Sequence, residues 1–394
     1  MSDEGADAKG ATGAGAEGAL EPQTVEVNGV KITQYGSVRV AESVDALGKR
    51  SEGDEAPKTH DDDAAAPKPG EEGYLSDDEK DEELPPALRF IGPGDVTDIS
   101  DPNMERYEWI GTSGQKVTVV TGVEHLTNLE SFCLRANFVR EVSGLASLTN
   151  LVSLELYENR LNTLEGVQHL VNLTNLDISY NRLRELDPAI LAPLTQLERL
   201  HVAENKLTKI QGLETLTNLR ILDLGMNRIR KMEGLETLTK LEELWLGKNK
   251  IQSIEGIDSL KSLVRMSVQS NRLRHIGDGL SGLASLEELY LSHQGIEEFS
   301  GLDALSNLNT LDVSNNRITS MDGLPVESLP KLEELWMSYN GIASFEEIEK
   351  LAPLGSQLAT IYLDHNPIER DFEYRKRLAA TLPSLVQIDA VRFR

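Results

Sequence analysis

One recurrence leaves this chain little choice of fold. From Leu126 onward the pattern LxxLxLxxN repeats, ending on Asn137, Asn159, Asn181, Asn205, Asn227, Asn249, Asn271, Asn316, Asn340 and Asn366, with Gln294 in the one remaining slot. The steps are mostly 22 residues, with a few of 23 to 26. Each unit continues as I/LxxIxGLxxL, as in Ile229, Met232, Gly234, Leu235 and Leu238. Self-similarity at this period marks units that cannot bury their own apolar face and become stable only by stacking.

Within a unit, Leu244 and Leu246 stand two apart, so they share one face of a strand while Trp245 points the other way. One strand per unit, stacked in parallel at about 4.8 Å, gives eleven strands a curved sheet of about 50 Å. The returning segment has room for short 3-10 pieces rather than full helices. The expected fold is therefore an α/β repeat, a leucine-rich-repeat solenoid. Its parallel sheet is concave, and its 3-10 or helical segments are convex. The Asn positions have their own logic. Where each strand ends, the chain bends inward and strands backbone groups that water cannot reach, and a side-chain amide supplies donors and an acceptor together. Gln294 is one methylene longer, so a locally loosened turn is expected there.

Boundaries follow from where the pattern fails. Ile110, Gln115, Val117, Val120, Val123 and Leu126 fit one degenerate first repeat, which puts the repeats at 107–366 with eleven strand units after it. Tyr374, Leu378, Leu382, Leu385 and Ile388 are spaced to cover the last open core, so 367–394 reads as a C-terminal cap. The Pro- and Gly-rich stretch 86–106 reads as an N-terminal cap or linker. Residues 1–85 have too few large apolar groups to offset the entropy of ordering and read as a disordered acidic tail. Inside it, residues 25–40 are apolar enough to pair as a hairpin about Asn28 and Gly29.

Charge narrows the partners. Of the net −26, −14 lies in the first 85 residues, which hold 22 Asp and Glu against 8 Lys and Arg. Such a chain repels nucleic acid and anionic lipid, whose binding depends on Lys and Arg displacing counterions. Basic protein partners are expected instead. Cys133 is the only cysteine, so neither an internal disulfide nor a structural zinc site is expected, in keeping with a reducing compartment. No signal-peptide core and no apolar run of about 18 residues is present. The expectation is a soluble protein, cytoplasmic and nuclear, with no membrane partner.

Apparent motifs mostly dissolve. Gly13, Gly15 and Gly18 match GxGxxG, but no strand precedes them and no helix follows, as phosphate binding at a helix N-terminus requires. The seven histidines fall mostly one to a repeat, without HxH or HExxH spacing, so no metal, cofactor or catalytic centre is expected and the chain reads as no enzyme. Asn172 to Thr174 is a glycosylation sequon only because Thr-Asn-Leu is a habit of the repeat. Ser76, before Asp77, Asp78 and Glu79, suits an acidophilic kinase.

The outward strand positions carry more. Between the inward side chains stand Cys133, Glu155, Asp177, His201, Asp223, Trp245, Ser267, Tyr290, Asp312, Trp336 and Tyr362. Solvated sheet faces carry carboxylates routinely, but not two Trp and two Tyr. Large exposed rings beside acids suit an interface whose aromatics supply desolvated area and whose charges choose the partner. Glu243, Glu288 and Glu334 flank them, with Arg135, Arg199 and Arg265 opposing.

The strings LWLGKNKI (244–251), SVQSNRL (267–273), LYLSHQGIE (289–297), EELWM (333–337), IYLDHNPIERDFEYRKR (361–377) and LPSLVQIDA (382–390) closely resemble the leucine-rich-repeat regulatory subunits of type 1 protein phosphatase, the regulatory subunit 7 family. The resemblance runs from about Leu126 to the C-terminus. It implies a noncatalytic partner that holds the phosphatase catalytic subunit on its concave face and affects its maturation, stability and location, with roles in mitosis. A second inhibitor subunit is implied in the same complex. Asp177, Asp312, Glu334, Trp336 and Tyr362 match the family's binding residues in type. Asp223 stands for a glutamate, Trp245 for a phenylalanine and His201 for a phenylalanine. With Tyr290, these make the expected partner-binding set. No basic-x-Val-x-Phe docking segment is found, so a broad face has to serve. The rival expectation is a repeat scaffold for tubulin or axonemal partners. Such scaffolds usually add a coiled coil, whereas this chain stops at its cap.

Overall fold

The computed structural model describes residues 23–27, 30–35, 38–39, 103–108, 110 and 116–392. They fall into two units, 1–78 and 79–394. In the first, β1 (Gln23–Val27), β2 (Val30–Tyr35) and β3 (Val38–Arg39) form a small antiparallel sheet, with Val27 opposite Val30. The pairing of β1 with β2 is that of the expected hairpin, whose turn residues Asn28 and Gly29 lie outside the described residues. The GxGxxG run, Ser76, Gln115 and most of 86–106 lie outside the described residues.

The second unit is a parallel-sheet solenoid. β4 (Arg106–Glu108) opens it. Eleven three-residue strands follow: β5 (Ser131–Cys133), β6 (Ser153–Glu155), β7 (Asn175–Asp177), β8 (Arg199–His201), β9 (Ile221–Asp223), β10 (Glu243–Trp245), β11 (Arg265–Ser267), β12 (Glu288–Tyr290), β13 (Thr310–Asp312), β14 (Glu334–Trp336) and β15 (Thr360–Tyr362). Each pairs in parallel with the next in unbroken register, so Trp245 lies beside Ser267 and Trp336 beside Tyr362. The return paths hold short 3-10 turns such as Val167–His169, and two single-turn helices, α1 (Pro188–Leu191) and α2 (Phe345–Glu349). That is as much helix as a repeat of this length leaves room for.

One core runs the length of the stack. The inward Leu and Ile of each strand, and the apolar residues of each return, are essentially inaccessible, as at Leu244, Leu246, Ile251 and Leu260. Each such side chain contributes about 1.5–3 kcal/mol by leaving water. Val117, Val120 and Val123 join this core from the degenerate first repeat, but Ile110 does not. It is exposed.

The Asn ladder holds the turns. Asn227 accepts from the backbone N of Leu207 through Oδ1 at 3.0 Å. Its Nδ2 donates to Val202 O of the preceding repeat at 2.9 Å and to Leu224 O and Gly225 O of its own turn. The same set recurs at Asn159, Asn181, Asn205 and Asn249. These bonds hold the residue before each Asn at φ of 51° to 59°, even where it is Tyr180, Met226 or Tyr339. Left-handed backbone disfavours L side chains, so the ladder must over-determine it. Gln294 keeps the two bonds to the neighbouring repeat, accepting from Leu273 N and donating to Val268 O. Among the described residues it makes no bond to its own turn.

At the far end, α3 (Tyr374–Thr381) packs Tyr374 and Leu378 over the last repeat, with Leu382, Leu385 and Ile388 also buried. β16 (Gln387–Ile388) adds a parallel strand to β15, and β17 (Val391–Arg392) folds back antiparallel on it. The ladder also finds a terminator. Asp389 Oδ1 accepts from Leu363 N, Asp364 N and the Tyr374 hydroxyl, while Arg375 lies 3.6 Å from Oδ2.

Candidate protein-binding face

Three strands on the C-terminal half of the concave face share one device. β10, β12 and β14 read Glu-Leu-Trp, Glu-Leu-Tyr and Glu-Leu-Trp, and the period of two puts Glu and ring on one face. Trp245 Nε1 donates to Glu243 Oε2 at 3.2 Å, the Tyr290 hydroxyl to Glu288 Oε2 at 2.8 Å, and Trp336 Nε1 to Glu334 Oε2 at 3.1 Å. Burial and the bond to Glu288 push the Tyr290 hydroxyl well above its ordinary pKa, so it remains a donor. Arg265, between β10 and β12, bridges Glu243 at 2.7 Å and Glu288 at 2.9 Å. The Tyr362 hydroxyl accepts from Gln387.

The rings therefore meet one another instead of standing free. Centroids lie 6.5 Å apart for Trp245 and Tyr290, 6.1 Å for Tyr290 and Trp336, and 5.8 Å for Trp336 and Tyr362. The first two pairs skip a strand. Small residues permit that: Ser267 and Asp312 sit between them and are covered, with Asp312 only 7% exposed. Large exposed rings were expected, but each is half-buried because it leans on the next. With their polar atoms already bonded, these rings are held in one arrangement that leaves part of each accessible.

The N-terminal half of the same column is built otherwise. Asp177 and Asp223 each accept through Oδ1 from the backbone N two residues on, Ser179 and Gly225, at 2.9 Å, and Asp312 does the same with Ser314. These aspartates cap the strand-to-turn bend, a structural duty that an Asp-x-Ser or Asp-x-Gly reading of the sequence would have revealed. His201 lies in register between Asp177 and Asp223. Burial raises the Asp223 pKa, opposed by the Gly225 N–H and by His201. Cys133 is buried, and burial followed by the Glu155 charge raises its thiol to about 12, so it is no nucleophile.

All nine residues expected to bind a partner thus share one continuous sheet face. Asp177, His201, Asp223, Trp245, Tyr290, Glu334, Trp336 and Tyr362 are partly accessible, and Asp312 is the covered exception. Among the described residues no three His, Cys, Asp or Glu side chains gather as metal ligands, and no helix is long and apolar enough to cross a membrane.

Comparison with known proteins agrees with the solenoid fold. Family models described as leucine-rich repeat match residues 275–394 and 171–229, and one described as two copies of the repeat matches 217–262. Comparison with curated protein sequences finds no match. Among solved structures, an internalin (inlF) from Listeria monocytogenes is similar at 26% identity and TM-score 0.62, covering 72% of this chain and 80% of its own. A leucine-rich-repeat protein of Leptospira interrogans is similar at 25% and 0.57, covering 70% and 76%. The functional domain of InlJ from Listeria monocytogenes shares the fold at 22% and 0.53, covering 68% and 64%.

Proposed function

We propose that this chain, a leucine-rich-repeat protein by its family matches and its fold, is a noncatalytic regulatory subunit holding the catalytic subunit of type 1 serine/threonine protein phosphatase against its concave face. The observation that carries the reading is the preset stack of Trp245, Tyr290, Trp336 and Tyr362. Interfaces draw most of their energy from a few such rings, shielded from water and fixed beforehand. Glu334 adds negative charge that no cation among the described residues neutralises, which steers a basic partner surface onto the rings. The phosphatase itself is named by the likeness of the strings at 244–251, 333–337 and 361–377 to the regulatory subunit 7 family. In this reading Asp177, His201 and Asp223 extend the contact toward the N-terminal half. Binding then influences maturation, stability or localisation of the enzyme, and a second inhibitor subunit joins the complex.

Affinity capture from lysate with mass spectrometry tests this. The phosphatase catalytic subunit should dominate the wild-type capture and be lost with Trp336→Ala, Glu334→Ala. Tubulin or axonemal chains in its place, or full retention by the double variant, would remove the assignment.

A further inference from the structure

The turn edge of the solenoid carries a charge opposite to that of the chain as a whole. The residue after each ladder Asn falls in one column, and through six consecutive repeats that column reads Arg160, Arg182, Lys206, Arg228, Lys250 and Arg272. A second hydrogen-bond ladder fixes it. The backbone N of each donates to a carbonyl of the preceding repeat, from Arg160 to Val139 O through Arg272 to Ile251 O, all at 2.8–2.9 Å. The six cations thus rise from a rigid row at the strand spacing of about 4.8 Å, or about 24 Å end to end. Among the described residues Arg182, Arg228, Lys250 and Arg272 have no carboxylate within ion-pair distance. Arg182 and Arg272 are exposed. An open groove of about 380 Å³ runs beside Arg182, Lys206 and Arg228.

We propose that this edge is a second docking surface, separate from the concave face, and that it takes a short extended acidic segment of a protein partner, a tract of contiguous Asp and Glu. Charge complementarity argues for the occupant, since Arg182, Arg228, Lys250 and Arg272, without a carboxylate at ion-pair distance among the described residues, give an acidic ligand attraction instead of repulsion on a chain of net charge −26. Length agrees, because 24 Å is spanned by about seven extended residues. A nucleic acid strand fits less well. Glu158 and Glu204 line the same groove. A phosphate on every nucleotide would have to pass them, whereas an extended peptide turns alternate side chains away and can set backbone there. Tyr180 is the one aromatic ring lining the groove among the described residues, where a single strand would need a ring for each of several stacked bases.

Fluorescence anisotropy on the full chain tests the proposal, with three labelled probes of matched length: a contiguous Asp/Glu peptide, its Asn/Gln counterpart and a single-stranded oligonucleotide. The acidic peptide should bind, weaken steeply with added salt, and bind roughly tenfold less tightly to the variant Arg182→Glu, Arg228→Glu, Arg272→Glu, each exposed pair counting for little alone. An Arg→Gln version of the triple variant, checked by thermal melting, guards against a folding defect. Trp336→Ala should leave peptide binding unchanged, and the charge-reversed triple should still capture the partner of the concave face, so either surface can fail without the other. Equal binding of the acidic and neutral peptides, an unaffected triple variant, or tighter binding of the oligonucleotide would overturn the proposal.

Discussion

The two halves of the concave face occupy the same column of the same sheet, yet their polar groups have been spent differently. In β10, β12 and β14 the carboxylates of Glu243, Glu288 and Glu334 are turned onto ring donors, so Trp245, Tyr290 and Trp336 are locked, and Asp312 in β13 alone keeps the backbone cap of the other half. From β7 to β9 the carboxylates are turned onto the backbone of the following bend, and one oxygen of Asp177 and Asp223 is committed to holding the fold. An outward carboxylate is therefore not by itself a binding group. Which neighbour it satisfies decides whether it prepares an interface or stabilises a turn.

Truncating a ring should break the C-terminal half most visibly. Trp336→Ala removes a ring in contact with both Tyr290 and Tyr362, and binding should weaken by about 2 kcal/mol or more, roughly thirtyfold by calorimetry. On the other half, Asp177→Ala should lower folding stability by about 1 kcal/mol in denaturant melts through the lost cap. Asp177→Asn keeps the acceptor and should melt like wild type, so any binding it loses reports charge alone. If Asp177→Ala weakened the complex as much as Trp336→Ala, the division between the halves would fail.

A pH series sharpens the same contrast. Burial raises the Asp223 pKa, so the folded state prefers the protonated acid. The stability linked to this is present below the ordinary Asp range and is lost as pH rises through the folded value. Asp223→Asn should therefore raise Tm at neutral pH, and the gain should vanish on acidification below about pH 3.9. Smallest of all is the effect at Gln294, where amides of residues 291–297 should exchange faster than those of the flanking turns. Equal protection would show that the two retained inter-repeat bonds suffice.

Much of this was legible in residues. The LxL spacing placed every inward leucine, and the recurring Asn announced a ladder because a side-chain amide serves donor and acceptor roles together in one bend. The ring column followed from the same period. What escaped was set by neighbours in space. Ser267 and Asp312 act as spacers that let rings touch across a skipped strand, which no single repeat displays. β4 and β16 are strands because an open sheet edge lies beside them, not because Arg106–Glu108 or Gln387–Ile388 have a repeat's pattern. The basic column was visible as Asn-Arg or Asn-Lys in six repeats, but its rigidity depends on carbonyls about 21 residues earlier.

The central claim is that the rings of Trp245, Trp336 and Tyr362 form one preset surface that a partner covers. Hydroxyl-radical footprinting of the chain alone and with the type 1 phosphatase catalytic subunit tests it most directly, since these side chains are oxidised in proportion to their access. The account predicts that all three become protected together while Tyr180 and Tyr339, exposed on the turn edge, do not change. Protection of the edge tyrosines with the three concave rings still oxidised would contradict it.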